Sequence, residues 1–447
     1  MLTQQFVAHP MIDGQMRVRP GQLARDPANR ERVIGEVSEA TAADIREAFD
    51  CSFRAQGKWQ AFDESERAAI WSRAADLFEK NVPLLMALLV REAGMTIQSA
   101  LREIIAAVEF LRSIALRHGM KDPKPILQEP GTHIPKDAPA PGIFVCISPA
   151  NSPLAAFVQL AARALHDGYA VLARPDHRTP MIASVATRLL LEAGAPASIL
   201  HLLPGDGGAT DAALFHDLRL TGVAFVGTHE TARKFERLLA SRRGGTPVII
   251  GHIAPLHAII ADGSALPEHV ARDAIASAFD GSGQASTSLK LLCVADTIAE
   301  PTLELIAGAI EELTLGDPIH FATDLGPLID EDARAKVDSG LQQLIGNGRL
   351  LQSIAVPPSL EKGVFYGPHL FEVTAPNAVV KDIPGPLLHV LRFSPDRLTG
   401  LCDALAASHP GLRLGVHSRI RATLETARRQ IANVALVRDR SGVPVGT

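Results

Sequence analysis

Residues 142–175 read GIFVCISPANSPLAAFVQLAARALHDGYAVLARP, and this stretch decides the class of fold. Its first eight residues, GIFVCISP, form a continuous apolar run of the kind found in strands that are buried on both faces. LAAFVQLAARALHDG then places apolar residues at helical spacing, and YAVLARP is a second apolar run. A strand, a helix and a second strand in this order predict a βαβ unit with parallel strands.

The same alternation continues outward from this unit. Towards the C-terminus it reaches THETARKFERLLASR, a helical pattern that begins directly after Gly227. A second set of strand and helix patterns starts near Val248 and includes VIIGH, HAIIAD, PEHVARDAIASAFDGSG and SLKLLCVAD. Towards the N-terminus, residues 42–117 contain four helical patterns, and the first forty residues read as strands and turns. We therefore predict an α/β protein that contains a doubly wound, mostly parallel sheet.

Composition limits the classes of function. The chain has 447 residues, is 47% hydrophobic and carries a formal net charge of -5, so it can bury a large core and offers no electrostatic footprint for nucleic acid. No apolar run is long enough to cross a membrane, and we expect no secretory signal in MLTQQFVAHPMIDGQ. The four cysteines are far apart and the histidines show no metal-ligand spacing. These features predict a cytoplasmic protein that binds no metal, nucleic acid or membrane.

The junction Phe225-Val226-Gly227-Thr228-His229-Glu230 carries the first chemical signal. A glycine at the end of a strand lets a pyrophosphate approach the backbone, and the following helix offers free N–H groups and the positive end of its dipole. The junction is therefore either a dinucleotide site or an ordinary strand-to-helix turn capped by Thr228.

Two further segments fit a ligand site. Asn151, in Pro149-Ala150-Asn151-Ser152-Pro153, follows a buried strand and either donates its amide to an oxyanion or serves as a turn residue. Residues 280–288, DGSGQASTS, are rich in glycine and hydroxyl groups. Such a loop either brings small groups close to a reacting centre or is a flexible connector.

These three segments, in this order and at these separations, resemble the aldehyde dehydrogenase superfamily, and in particular its Δ1-pyrroline-5-carboxylate dehydrogenase branch of the proline utilisation type. The resemblance runs from about Asp26 to Arg438. Its most specific stretches are FVCISPANSPLA (144–155), LLPGDGG (202–208), GVAFVGTHE (222–230), VARDAIASAFDGSGQ (270–284), LGDPIHFATDLGPLID (315–330), VFYGPHLFEV (364–373) and GLRLGVHSRI (411–420).

The resemblance implies a domain organisation and an activity. We expect a Rossmann-type cofactor-binding domain over residues 1–247, to which residues 421–447 return, and a catalytic α/β domain over residues 248–420. The proline-rich residues 121–142 would be a linker or an oligomerisation arm. Enzymes of the family usually form dimers or higher oligomers and oxidise aldehydes with NAD. In them a cysteine thiolate attacks the aldehyde, hydride passes to the nicotinamide, and a water activated by glutamate hydrolyses the thioester.

This chain departs from the family at both chemical positions. Where the family reads Gly-Gln-x-Cys, this chain reads Gly283-Gln284-Ala285-Ser286, so that Ser286 occupies the position of the nucleophile. His252 occupies the position of the glutamate. A serine hydroxyl stays protonated near neutral pH, whereas a thiol with a pKa of about 8.5 is partly ionised. The cysteines offer no substitute, because Cys146 and Cys293 fall in buried strands and the other two fall on helices.

Positions that bind the cofactor have changed as well. Arg174 replaces the lysine that binds the adenosine ribose, His177 replaces the acidic ribose ligand, and Asp382 replaces the glutamate that holds the nicotinamide ribose. The positions of Asn151, Gly207 and Gly227 are retained, and Thr228 stands in place of serine. The resemblance thus implies NAD or NADP as cofactor, and the changes at residues 174 and 177 weaken that expectation. The family pattern continues past the position of Thr447 into a Phe-Gly-Gly segment and a loop that anchors a carboxylate.

Three hypotheses follow. The chain is a non-catalytic family member that serves as a binding, regulatory or assembly subunit with a small-molecule ligand and a protein partner. Alternatively, Ser286 and His252 attack an acyl substrate, with Asn151 contributing to an oxyanion hole. In the third, it is a residual NAD(P)-dependent aldehyde oxidoreductase, in which Arg174 pairs with a 2′-phosphate. In each case the resemblance implies a homodimer.

Overall fold

The structure is a computed structural model that describes residues 6–117, 142–245, 247–253, 255–380 and 383–436. These residues form two compact units. The first unit comprises residues 6–26, 31–93 and the described residues between 97 and 253, and the second comprises residues 27–30, 94–96 and the described residues from 255 onward. No helix among the described residues combines the length and the hydropathy that crossing a membrane would require.

The first unit begins with short strands and four helices, as the sequence predicts. Its strands are β1 (Phe6–Ala8), β2 (Met11–Ile12), β3 (Gln15–Met16), β4 (Gln22–Asp26), β5 (Asn29–Val37), β6 (Ile143–Ile147), β7 (Ala170–Arg174), β8 (Leu200–Leu202), β9 (Leu220–Gly227) and β10 (Val248–Ile253). Its helices are α1 (Ala42–Gln60), α2 (Glu64–Lys80), α3 (Val82–Glu92), α4 (Ile97–Ala115), α5 (Ala155–His166), α6 (Pro180–Glu192), α7 (Gly208–His216) and α8 (His229–Ala240). The proline-rich residues 121–141 lie outside the described residues.

The main sheet of the first unit has the strand order β10-β9-β6-β7-β8-β2-β3. The five strands from β10 to β8 are parallel, and β2 and β3 are added antiparallel at one edge. Strand β6 is buried along its whole length and pairs with β7 and β9 on its two sides. The doubly wound sheet predicted from the continuous apolar run in β6 is therefore confirmed.

The second unit is also built on a seven-stranded sheet, of order β13-β14-β15-β12-β11-β16-β17. Only β13 is antiparallel to its neighbour. Its strands are β11 (His257–Ala261), β12 (Leu289–Ala295), β13 (Gly348–Ser353), β14 (His369–Val373), β15 (Leu387–Phe393), β16 (Arg413–His417) and β17 (Asn433–Leu436). Its helices are α9 (Pro267–Phe279), α10 (Asp296–Glu311), α11 (Glu331–Ile345), α12 (Leu398–Ser408) and α13 (Arg421–Gln430).

The units correct the domain boundaries that we expected. Residues 248–253, which we assigned to the second domain, form β10 at the edge of the first sheet, where Ile250 pairs with Ala224. Residues 421–447 were expected to return to the first domain. Their described part, residues 421–436, lies instead in the second unit, because β17 pairs in parallel with β16. Strand pairing decides both assignments, and it leaves no local pattern in the sequence.

Candidate functional site

The candidate catalytic residue Asn151 and three residues proposed for cofactor binding follow neighbouring parallel strands of the first sheet. Asn151 comes after β6, Arg174 ends β7, Gly207 follows β8, and Gly227 ends β9. The carboxyl ends of parallel strands meet at one edge of a sheet, which is where open α/β sheets bind ligands. The first unit therefore brings these sequence-predicted residues to one edge.

Asn151 lies in a loop that a buried carboxylate holds in place. It is half-buried in the turn between β6 and α5. Glu103, on α4, accepts hydrogen bonds from the hydroxyl of Ser152 at 2.8 Å and from the main-chain nitrogen of Ala155 at 2.9 Å. Glu103 thus caps the N-terminus of α5, which has no side-chain cap of its own, and burial raises the pKa of Glu103. No sequence pattern signalled this role.

Arg174 belongs to a charged cluster around Gly207. Its guanidinium nitrogen lies 2.8 Å from the carboxylate of Asp211, whose side chain is only 1% exposed. Lys234, on α8, donates a hydrogen bond to the other oxygen of Asp211 at 2.9 Å. A Cβ atom at Gly207 would lie 3.1 Å from a side-chain nitrogen of Arg174 and from that of Lys234. The φ angle of Gly207, 108°, also favours glycine. Neither Asp211 nor Lys234 was identified from the sequence.

The Gly227 turn leads into α8 as predicted. The side chain of Thr228 caps this helix by accepting a hydrogen bond from the main-chain nitrogen of Thr231 at 3.3 Å. A Cβ atom at Gly227 would make only ordinary contacts, of 3.4 Å, with the side chain of Thr231. Packing within the unit therefore does not demand glycine at this position.

The chemical positions are distributed over both units. His252 is exposed on the edge strand β10 of the first unit, where it pairs with Val226. Ser286 belongs to the second unit, where it is half-buried in a turn closed by a hydrogen bond from the main-chain nitrogen of Ser288 to the oxygen of Ala285, of length 3.0 Å. Asp382 lies outside the described residues.

The loop that carries Ser286 has a strained backbone. Gly281, Ser282 and Gly283 all adopt positive φ angles, of 55°, 56° and 68°. Serine rarely adopts this conformation, and here its buried hydroxyl donates a hydrogen bond to the main-chain oxygen of Gly326 at 2.7 Å. The loop is therefore fixed by the fold rather than being the flexible connector that the sequence left open.

Gln284 and Lys290 anchor the two ends of this loop. The amide of Gln284 donates to the main-chain oxygen of Pro327 at 3.2 Å, and its carbonyl accepts from the nitrogen of Ile329 at 2.9 Å. Lys290, on β12, donates to the main-chain oxygen of Gly283 at 2.7 Å. The sequence contained a signal for Lys290, namely a lone charged residue in the apolar run LKLLCVA (289–295).

All four cysteines are buried and free, as predicted for Cys146 and Cys293. Burial raises the pKa of both of these thiols far above the ordinary range and raises the pKa of Cys402 to about 11. Such thiols remain protonated and act as small hydrophobic groups. Among the described residues, no group of three or more His, Cys, Asp or Glu side chains could hold a metal ion.

Comparisons with known proteins agree with this architecture. The sequence profile described as "Aldehyde dehydrogenase family" matches residues 21–437. The bifunctional protein PutA of Klebsiella aerogenes is 37% identical over 99% of the chain and 33% of its own length. The 1-pyrroline-5-carboxylate dehydrogenase of Geobacillus thermodenitrificans is 30% identical over 98% of the chain and 86% of its own length. The chain thus spans about a third of the length of the PutA relatives that it matches.

Solved structures share the fold. Proline utilization A from Bradyrhizobium japonicum has a TM-score of 0.82 at 35% identity, over 90% of this chain and 41% of that chain. The 1-pyrroline-5-carboxylate dehydrogenase of Thermus thermophilus has a TM-score of 0.85 at 24% identity, over 99% of this chain and 87% of that chain. With the fold, the glycine turn and the sequence profile in agreement, the chain belongs to the aldehyde dehydrogenase family and is close to 1-pyrroline-5-carboxylate dehydrogenase.

Proposed function

We propose that this chain is a family member that binds a small-molecule ligand without oxidising it, as a binding or assembly subunit. The observation that supports the proposal is that every cysteine thiol of the chain is buried and that residue 286 is not a cysteine. Position 286 is serine, and all four cysteines are buried, with the pKa of Cys146, Cys293 and Cys402 raised by burial. Thioester chemistry needs a thiolate that the substrate can reach, and the chain offers none.

The ligand class that we propose comes from the relatives. Those named 1-pyrroline-5-carboxylate dehydrogenase act on that compound, which makes it the first ligand to test here. For the assembly, we propose a homodimer, or a complex with a protein partner, in the reducing cytoplasm. The free state of the four cysteines supports that compartment.

A dinucleotide of the NAD or NADP type fits one part of the candidate site better than the other. The turn at Gly227, with Thr228 at the start of α8, would accept a pyrophosphate through free N–H groups of the helix. The adenosine ribose end fits less well. There, Arg174 is already paired with Asp211, and His177 presents an exposed imidazole in place of a carboxylate. We therefore propose that affinity for the dinucleotide is weak.

A gain-of-function variant tests the proposal most directly. We expect no reduction of NAD or NADP when the purified chain is given 1-pyrroline-5-carboxylate. The double variant Ser286→Cys with His252→Glu restores both family side chains and should gain measurable reduction. A Ser286→Cys single variant, which lacks the base, is the matched control. Calorimetry with NAD and with NADP on the unmodified chain should show no saturation below millimolar concentration.

Two outcomes would contradict the proposal. Reduction of NAD or NADP by the unmodified chain, abolished in Ser286→Ala, would establish a residual oxidoreductase instead. Hydrolysis of an ester or thioester, lost in both Ser286→Ala and His252→Ala, would favour the acyl-transfer hypothesis and its Ser–His pair. Labelling of Ser286 by a fluorophosphonate probe would point to the same alternative.

A further inference from the structure

Lys290 is a lysine beside the loop that carries Ser286, and its hydrogen-bond acceptors in the described part of the chain are main-chain oxygens. It lies second on β12 and is half-buried. Its ammonium group donates to the main-chain oxygen of Gly283 at 2.7 Å and to the main-chain oxygen of Gly385 at 3.1 Å. No described carboxylate forms an ion pair with it. Buried or half-buried lysines usually pair with an acidic group, so this environment is unusual.

The surroundings disfavour the charged form of this amine. Its two acceptors are neutral carbonyl groups, and burial lowers the pKa of Lys290 to about 8. A titratable side chain, His389 on β15, contacts the main-chain oxygen of Lys290 at 2.8 Å. Burial lowers the pKa of His389 to about 4, so it is neutral and contributes no negative charge. A large fraction of Lys290 is therefore a free amine at mildly alkaline pH.

The amine of Lys290 also contacts two segments whose family counterparts form the reaction site. Gly283 is three residues before Ser286, and Gly385 lies in the segment whose family counterpart holds the nicotinamide ribose. These two segments touch, because a Cβ atom at Gly283 would lie 2.2 Å from the oxygen of Gly385. Lys290 thus contacts both of these segments through its amine. One of them is the loop that carries the nucleophile in the family.

We propose that Lys290 captures an aldehyde as a reversible imine, and so replaces the missing thiolate as the group that bonds to the carbonyl carbon. The inference rests on the proposed function, in which the ligand is bound and not oxidised. The amine lone pair attacks the carbonyl carbon to give a carbinolamine. Loss of water then gives the imine, so that R–CHO and Lys–NH₂ become R–CH=N–Lys and H₂O. No oxidant or reductant takes part.

Reductive trapping tests this step. The intact chain is treated with limiting propanal and sodium cyanoborohydride, without any dinucleotide, and the sites of alkylation are mapped by peptide mass spectrometry. At pH 8 an amine with a pKa of about 8 is half free, whereas an ordinary lysine, with a pKa of about 10.4, is free to less than about 1%. Lys290 should therefore react about a hundredfold faster than Lys336, an exposed lysine on α11.

Variants separate this site from the background. Lys290→Arg keeps a cation that can donate to both carbonyl oxygens but cannot form an imine, and it should abolish the fast phase of adduct formation seen by intact mass. Lys336→Met should leave the fast phase unchanged. Circular dichroism confirms that each variant is folded. Excess 1-pyrroline-5-carboxylate should slow the trapping of propanal at Lys290.

Equal alkylation of Lys290 and Lys336, or a fast phase that survives in Lys290→Arg, would overturn the inference and leave the proposed function standing. Conversely, NADH formation by the unmodified chain would overturn the proposed function and would leave the fast alkylation of Lys290 unaffected. The two failures are therefore distinguishable.

Discussion

The carboxyl group of Glu92 accepts a hydrogen bond from the main-chain nitrogen of Met181 at 2.6 Å, and a second one from Ile182 at 2.8 Å. These residues lie in the first turn of α6, where N–H groups have no partner within the helix. Thr179, at the N-cap, makes no side-chain capping bond. Glu92 therefore caps α6 from the end of another helix, and its burial raises its pKa to about 8.

Glu92 should make stability depend on pH. Its pKa is about 8 in the folded chain and 4.5 as a model value, so the folded state holds the proton more tightly. The corresponding stability is complete below the unfolded pKa and is lost as pH rises through about 8. Between about pH 5 and pH 9, the unmodified chain should lose on the order of 2 kcal/mol or more that Glu92→Gln does not lose.

Thermal and urea unfolding at several pH values measure this difference. Glu109→Gln, at an exposed position on α4, is the matched control and should follow the unmodified chain. Parallel pH profiles for Glu92→Gln and the unmodified chain would show that Glu92 does not titrate in this range.

The thiols should be unreactive in the native state. Because all four cysteines are buried, Ellman's reagent should titrate almost none of them until guanidinium unfolds the chain, when all four react. Ser286→Cys should add a single fast-reacting thiol, since residue 286 is only half-buried. A fast thiol in the unmodified chain would contradict the burial on which the proposed function rests.

Asp211 and Lys234 should contribute very differently to stability although they contact each other. Asp211→Ala leaves Arg174 buried without its partner, and breaking a buried ion pair costs about 3–5 kcal/mol. Lys234 is 49% exposed, so Lys234→Ala should cost less than about 1 kcal/mol. Urea unfolding of both variants measures the contrast, and similar losses would mean that the buried pair is not the main contribution of Asp211.

Two glycines of the 280–288 loop provide another matched pair. Gly281 and Gly283 both have positive φ angles, but a Cβ atom at Gly281 would meet nothing within 4 Å, whereas one at Gly283 would collide with the oxygen of Gly385. Gly281→Ala should cost only backbone strain, about 1 kcal/mol. Gly283→Ala should cost about 3 kcal/mol or more, because overpacking adds to the strain. Denaturant unfolding checks both values, and equal losses would argue against the close approach of Gly385.

Local patterns in the sequence were sufficient for most of the fold. The apolar run of β6 predicted a buried parallel strand, and the glycine before α8 predicted the turn capped by Thr228, since both signals lie within a few residues. The candidate site was predictable to the same extent. Arg174, Gly207 and Gly227 could be placed at one sheet edge, whereas the Asp211 carboxylate between Arg174 and Lys234 could not.

The sequence by itself determined the α/β class, the glycine turn and the serine at position 286, because each depends only on residues that are close together in the chain. Only the tertiary structure decided that β10 joins the first sheet and β17 the second, that Glu92 caps α6, and that Lys290 contacts Gly385. These are contacts between residues far apart in the chain. They depend on how the strands and helices pack, and packing leaves no period or spacing in the local sequence from which it could be predicted.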